Sequence, residues 1–267
     1  MTVTEDRAIA ELDTGAAQET IPSRATGGRT LSGYLFMPVL LAAVLLVLYL
    51  WVSNQELEER ESARLNRDTI ISDVIKHIEL TALSTLLVLI IAIPLGVLLT
   101  RPALGRITRP TVVIFSIGAA VPSAGVLFLF AEVWNVGFLP AIAALVLYTT
   151  IVVLRNTMVG LQQVDPAVIE SARGMGMTKI AVLIRIELPL AVPIIMAGVR
   201  TALVINVGTA ALAALVGAGG LGGIINAGIS ANRAVVTLVG AVLTAVLALA
   251  VDYVAGIAED LLRPRGL

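Results

Sequence analysis

The chain has 267 residues, of which 58% are hydrophobic and 14% charged, and its mean hydropathy is +0.96. A soluble domain carries about 25% charged residues; this chain has too few polar groups to cover a water-facing surface, so a multi-span helical membrane protein is expected. A net charge of −1 offers no basic surface for nucleic acid, and the absence of cysteine excludes disulfides and cysteine-ligated metals.

In chain order, residues 1–30 are polar with no apolar period, which predicts a disordered tail. No cleavable secretory signal is expected, because the apolar run starts only near Leu31 and no small-residue cleavage site follows it. Uncharged runs then recur at Tyr34–Val52, Leu80–Thr100, Pro110–Ala131 and Val133–Leu154. A fifth apolar region follows Leu188, interrupted by Arg200, and divides into a helix to near Val216 and a glycine-rich loop. The sixth is Ala234–Val251, extended past Asp252 to near Ala258. A span needs about 20 apolar residues. The expected fold is therefore all-α and polytopic, with about six transmembrane helices.

Lys and Arg set the orientation. With the N-terminus in the cytoplasm, the inside segments hold Arg7, Arg24, Arg29, Arg101, Arg106, Arg109, Arg155, Arg173, Lys179, Arg185, Arg263 and Arg265. The outside segments hold Arg60, Arg64, Arg67, Lys76 and Arg233. Twelve against five places both termini inside. The charged stretch from Ser53 to Lys76 reads as a solvated helical connector on the outer side. Glu56 with Arg60, and Glu61 with Arg64, would pair on a helix face. A docking surface for an external protein is the alternative role.

The longest mildly polar insert of the second half runs from Asp165 to Pro189 and falls on the cytoplasmic side. It reads as two short helices around a glycine break. Asp165 suits a cap, Pro166 a first helical position, Gly174 and Gly176 the break, and Thr178 the second cap. Such an elbow is either a handle for a partner at the membrane surface or an ordinary amphipathic loop.

The remaining polar features are isolated. Gly217-Ala218-Gly219-Gly220-Leu221-Gly222 matches a dinucleotide fingerprint by letter, but a strand should precede it and an acidic residue should follow about 20 positions on. Here the next acidic residue is Asp252, so a tight re-entrant or outer loop is expected instead, with an outer gate as the lesser alternative. No P-loop spacing occurs, so the chain should not hydrolyse ATP itself. Arg200 and Asp252 lie about 15 Å and 12 Å in from the cytoplasmic ends of their spans, at about 1.5 Å per residue. They are expected to meet or to share a polar cluster, unless each is satisfied separately. His77, the sole histidine, is expected at the water boundary, without metal partners. Asn206, Thr209 and Asn226 line a pathway or bridge helices. Pro94, Pro122, Pro140 and Pro193 fall in or at spans, and kinks near Pro94 and Pro122 shape a cavity or serve packing alone. No catalytic set and no metal site is visible.

The elbow also carries a resemblance. Glu170, Ala172 and Gly176, followed at fixed spacing by Ile186, Leu188 and Pro189, resemble the "EAA" loop of ABC-importer permeases, with Ser171 where the motif name has alanine. Ile93-Pro-Leu-Gly-Val-Leu-Leu-Thr-Arg101, Leu154-Arg-Asn-Thr, Val164-Asp-Pro-Ala, Gly174-Met-Gly-Met-Thr and Met196-Ala-Gly-Val-Arg-Thr-Ala are similar to the osmoprotectant (glycine betaine, carnitine, choline) branch. The likeness covers roughly residues 70–256. It implies the type I importer fold, a second permease copy or paralogue, separate ATPase subunits that hold ATP and magnesium, and an external substrate-binding protein. The domain plan it implies is a tail at 1–30, a first span and outer loop at 31–76, a permease core at 77–258 with its coupling elbow at 161–189, and a C-terminal tail at 259–267. Glu170, Ser171, Ala172, Arg173, Gly174, Met175 and Gly176 would carry the coupling, and a side chain at Gly176 would obstruct the turn or the approach of the ATPase. The implied location is the cell membrane, and the implied cargo a quaternary-ammonium solute. Methionine or another small solute is the alternative cargo, and a secondary transporter without ATPase the alternative class.

Overall fold

A computed structural model describes residues 31–262. The expected tail at 1–30, with Arg7, Arg24 and Arg29, and the last five residues, with Arg263 and Arg265, lie outside the described residues. Two compact units divide the chain between Phe36 and Met37. The first contributes only the opening turns of α1 (Leu31–Ser53) to the described residues; everything that follows belongs to the second.

The described residues form helices joined by short turns. After α1 come α2 (Glu59–Arg64), α3 (Arg67–Leu99), α4 (Gly105–Ala120), α5 (Ser123–Trp134), α6 (Phe138–Gln162), α7 (Pro166–Gly174), α8 (Lys179–Val182), α9 (Leu188–Ala210), α10 (Gly222–Ser230) and α11 (Ala234–Leu262). Five stretches are long and apolar enough to cross a membrane, or six if the bent pair α4–α5 counts as one span.

Three boundaries differ from the sequence expectation. The outer connector is shorter than 53–76, because the Asn66 side chain accepts the Thr69 N–H at 2.8 Å and starts α3 thirteen residues before Leu80. Glu56 precedes the helical turn, so the Glu56–Arg60 pair does not form as drawn. Arg64 instead pairs with Asp73 at 3.1 Å, and Glu61 faces Arg233, which also binds Glu58. The expected run Pro110–Ala131 is two helices meeting at 97°. Pro122 has no N–H to continue the helix, and Val121 before it takes an extended conformation (φ −69°, ψ 136°). The fourth run begins at Phe138 rather than Val133. Pro140 therefore sits in the first turn of α6, where no kink results.

The centre of the fold is α6, which packs against α3 and α9 along its length and against α4 and α5 on another side. Val88, Ala92 and Leu99 of α3 meet Val153, Leu154 and Leu161 of α6 and Ala191, Val199 and Ala202 of α9. In lipid the tails are as apolar as the side chains, so close packing rather than water exclusion holds such helices together. Small residues allow it. A methyl group added to Gly198 would come 2.4 Å from Asn156 Cβ, so α6 and α9 touch there through glycine. At the Phe138 end of α6, Leu80, Val126, Leu127 and Ala141 pack with Ala213 and Val216, and the Gly137 N–H donates to the Val216 carbonyl at 2.7 Å. α10 and α11 then fold back on each other, with Leu221, Ile224 and Val236 buried between Leu65, Ile70 and Leu243.

Candidate functional site

The elbow forms as its residues dictate. Asp165 Oδ1 accepts the Ala167 N–H at 2.8 Å, and Pro166 occupies the first position of α7. The helix ends in a Schellman turn. The Gly176 N–H donates to the Arg173 carbonyl at 2.9 Å and the Met177 N–H to the Ala172 carbonyl at 3.2 Å. Gly176 has φ +86°, the left-handed conformation that this turn requires and that other residues rarely adopt. A side chain there would meet no heavy atom within 4 Å, so the expected obstruction of the turn is not steric. Thr178 Oγ1 accepts the Ala181 N–H at 3.2 Å and starts α8. A wide π turn, Leu183–Glu187, joins α8 to α9, which opens with Leu188 and Pro189.

Ala172 is 2% exposed and faces inward, and Val182, the last residue of α8, is fully buried. Glu170, Ser171, Arg173, Gly174, Met175 and Gly176 are exposed, and Ile186 is half-buried. Val168, Met175, Ile180 and Ile184 also stand exposed, Met175 at 77%. The elbow thus exposes four apolar side chains together with Arg173, Lys179 and Arg185, a composition suited to a protein partner.

One contact at the elbow was missed from the sequence. Glu187, 5% exposed, receives two N–H groups from Arg101, at 2.6 and 3.3 Å. Arg101 Nε also donates to the Val97 carbonyl at 3.2 Å. The pair ties the end of α3 to the junction of elbow and α9. Its signal was present: Glu187 is the only acidic residue between Glu170 and Asp252, and a carboxylate buried next to apolar spans needs a cation.

Arg200 and Asp252 are brought together. Arg200 Nε donates to Asp252 Oδ1 and Nη2 to Oδ2, the latter at 2.6 Å, and Glu259 lies 3.7 Å from Nη1. This fork binds α9 to α11. Asn206 is buried and donates to Ser84 Oγ at 2.8 Å and Thr85 Oγ1 at 3.0 Å, bridging α9 to α3. Thr209 is half-buried and Asn226 exposed, without a shared site.

His77 is not at the water boundary: its exposure is 0%. Nε2 lies 3.0 Å from the Val207 carbonyl, and the Leu221 N–H points at Nδ1 at 3.3 Å. Only the neutral ring with its proton on Nε2 serves both partners. The histidine pins the glycine loop to α3 and α9. That loop is tight, with φ of +74°, +81° and +85° at Gly217, Gly219 and Gly220, and a methyl at Gly222 would lie 1.7 Å from the Ala211 oxygen. No group of three or more His, Cys, Asp or Glu that could hold a metal occurs among the described residues.

Comparison with known proteins accords with this architecture. Residues 92–265 match the family model described as "Binding-protein-dependent transport system inner membrane component". The "Choline transport system permease protein OpuBB" of Bacillus subtilis is 39% identical over 72% of this chain and 88% of its own length. The "Carnitine transport permease protein OpuCD" of Listeria monocytogenes is 39% identical over 74% of this chain and 89% of its own. Among solved structures, the MetNI methionine ABC transporter in inward-facing form is 25% identical, with a TM-score of 0.65 over 73% of this chain and 96% of that one. The fold is thus that of type I ABC importer permeases, and the chain belongs to the family of binding-protein-dependent transport system inner membrane components, the permease subunits of ABC importers.

Proposed function

We propose that the chain is the membrane-spanning subunit of an ATP-driven importer for a quaternary-ammonium osmoprotectant such as glycine betaine, carnitine or choline. The observation that carries this is its 39% identity to permeases named for choline and carnitine, against 25% to the methionine transporter. In this reading two permeases pair, either two copies of this chain or this chain with a paralogue. An external binding protein delivers the solute. Separate ATPases hold ATP and magnesium and dock on the elbow, whose cytoplasmic position, with both termini inside, the Lys and Arg bias supports.

The apolar patch of Val168, Met175, Ile180 and Ile184 supplies the contact, and Glu170, Ser171, Arg173 and Gly174 its polar rim. Closure of the ATPases pulls on the elbow. Arg101–Glu187 passes that movement to α3, and Arg200–Asp252 passes it from α9 to α11. Moving a two-state equilibrium from 1:99 to 99:1 takes about 5.5 kcal/mol of differential binding. A single surface contact contributes about 1 kcal/mol or less, so the elbow must act as one rigid body.

The test is uptake of labelled glycine betaine by proteoliposomes holding this chain, its ATPase and its binding protein, with Gly176→Asp alongside. ATP-dependent uptake, lost in the variant while the subunits still fold, is expected. Uptake without the ATPase would sink the reading, and ATPase stimulation without uptake of betaine, carnitine or choline would send the cargo elsewhere.

A further inference from the structure

Of the spanning helices, α6 is the most enclosed. One face of α6 carries a stripe at helical spacing in which Tyr148 and Val152 are half-buried and Arg155, Val159 and Gln162 exposed. Arg155 on that stripe is exposed. Its Nη2 donates to Ser116 Oγ of α4 at 2.8 Å, and Ser116 Oγ donates to the Val112 carbonyl at 2.6 Å. A guanidinium has five N–H donors, and this contact uses one. Arg64, Arg101, Arg200 and Arg233 each face a carboxylate. Among the described residues Arg155 faces none.

The direction of the side chain matters. Arg155 lies seven residues before the elbow end of α6, about 10 Å along the helix at about 1.5 Å per residue. Ser116 lies eleven residues into α4, about 16 Å along it. The guanidinium is therefore held toward the middle of the two helices, opposite to the direction in which an arginine snorkels to headgroups. A charged fork with open donors at that depth belongs in a water-filled path or against an anion.

We propose that Arg155, oriented by Ser116, is an anion-binding point on the translocation pathway that takes the carboxylate of a zwitterionic solute. The inference rests on the importer reading above and deepens it. A planar guanidinium matches a carboxylate in a two-pronged contact. Glycine betaine and carnitine carry a carboxylate, whereas choline carries a hydroxyl, so the site separates cargoes that share a trimethylammonium head.

The reconstituted importer tests this with labelled glycine betaine and labelled choline, in wild type, R155Q and R155K. R155Q is expected to cut betaine uptake at least tenfold more than choline uptake, and R155K to recover part of the difference. Equal loss of both solutes, or loss of neither, overturns the proposal. A second arm needs no cargo. The chain has no cysteine, so R155C gives this subunit a sole thiol. Rapid modification by a membrane-impermeant thiosulfonate added from the elbow side is expected. Modification only by a lipid-soluble maleimide places the residue against lipid and overturns the proposal. If wild type carries neither solute, the cargo reading fails separately, and the thiol still decides where Arg155 faces.

Discussion

Gly176 and Gly222 are both required, for different physical reasons, and they predict opposite phenotypes. Gly176 is held at φ +86° in open space, so its substitution costs conformation alone, about 1–2 kcal/mol for a side chain in the left-handed region. Asparagine tolerates that region better than a β-branched residue does. Gly222 faces the Ala211 carbonyl, where an added methyl overlaps the oxygen at 1.7 Å and backbone must move. G176V is expected to leave the melting temperature of the purified subunit within a few degrees of wild type while lowering ATPase co-purification, with G176N intermediate. G222A is expected to lower the yield of folded protein outright. If G176V unfolds the subunit as G222A does, the elbow is a folding element first and a coupling surface second.

At the scale of elements, one arginine fork holds the elbow to α3 and the other holds α9 to α11. Arg101 is partly exposed and Glu187 nearly buried, so R101M strands a carboxylate beside apolar helices, at a cost of about 1–3 kcal/mol. Uptake is expected to fall in R101M and in E187Q. The exchanged pair R101E with E187R is expected to recover a measurable part, because the same two groups meet with their roles reversed. An exchange no better than either single change would mean that the contact is incidental to transport. The elements themselves were legible from the sequence wherever a cap or a long apolar run specified them, as at Asp165, Thr178 and α11. They were not legible where a distant partner decides. His77 looked like a boundary residue because Val207 and Leu221, 130 and 144 positions away, complete its burial. Pro122 marked a break, but not the 97° angle at which α5 leaves α4 and packs on α6, which one residue does not specify.

For the whole molecule, orientation follows from which segments carry Lys and Arg, and the fold sharpens the expectation. The Arg101–Glu187 pair brings the 100–104 turn to the elbow. The Gly137 N–H to Val216 carbonyl bond brings the 135–137 turn to the glycine loop at the opposite ends of α6 and α9. Four connections thus sort into two sets by contact, independently of charge, and each set must lie wholly on one side of the membrane. Single cysteines at Gly137 and at Met175 in this cysteine-free chain read the two sets out. In sealed cells an impermeant maleimide is expected to label the first and to spare the second until the membrane is opened. The reverse pattern would put the elbow out of reach of a cytoplasmic ATPase and would remove the coupling scheme along with it. Labelling of both in sealed cells would mean that one of the helices between them does not span, and α6, at 25 residues and about 37 Å, is the helix on which that result would bear.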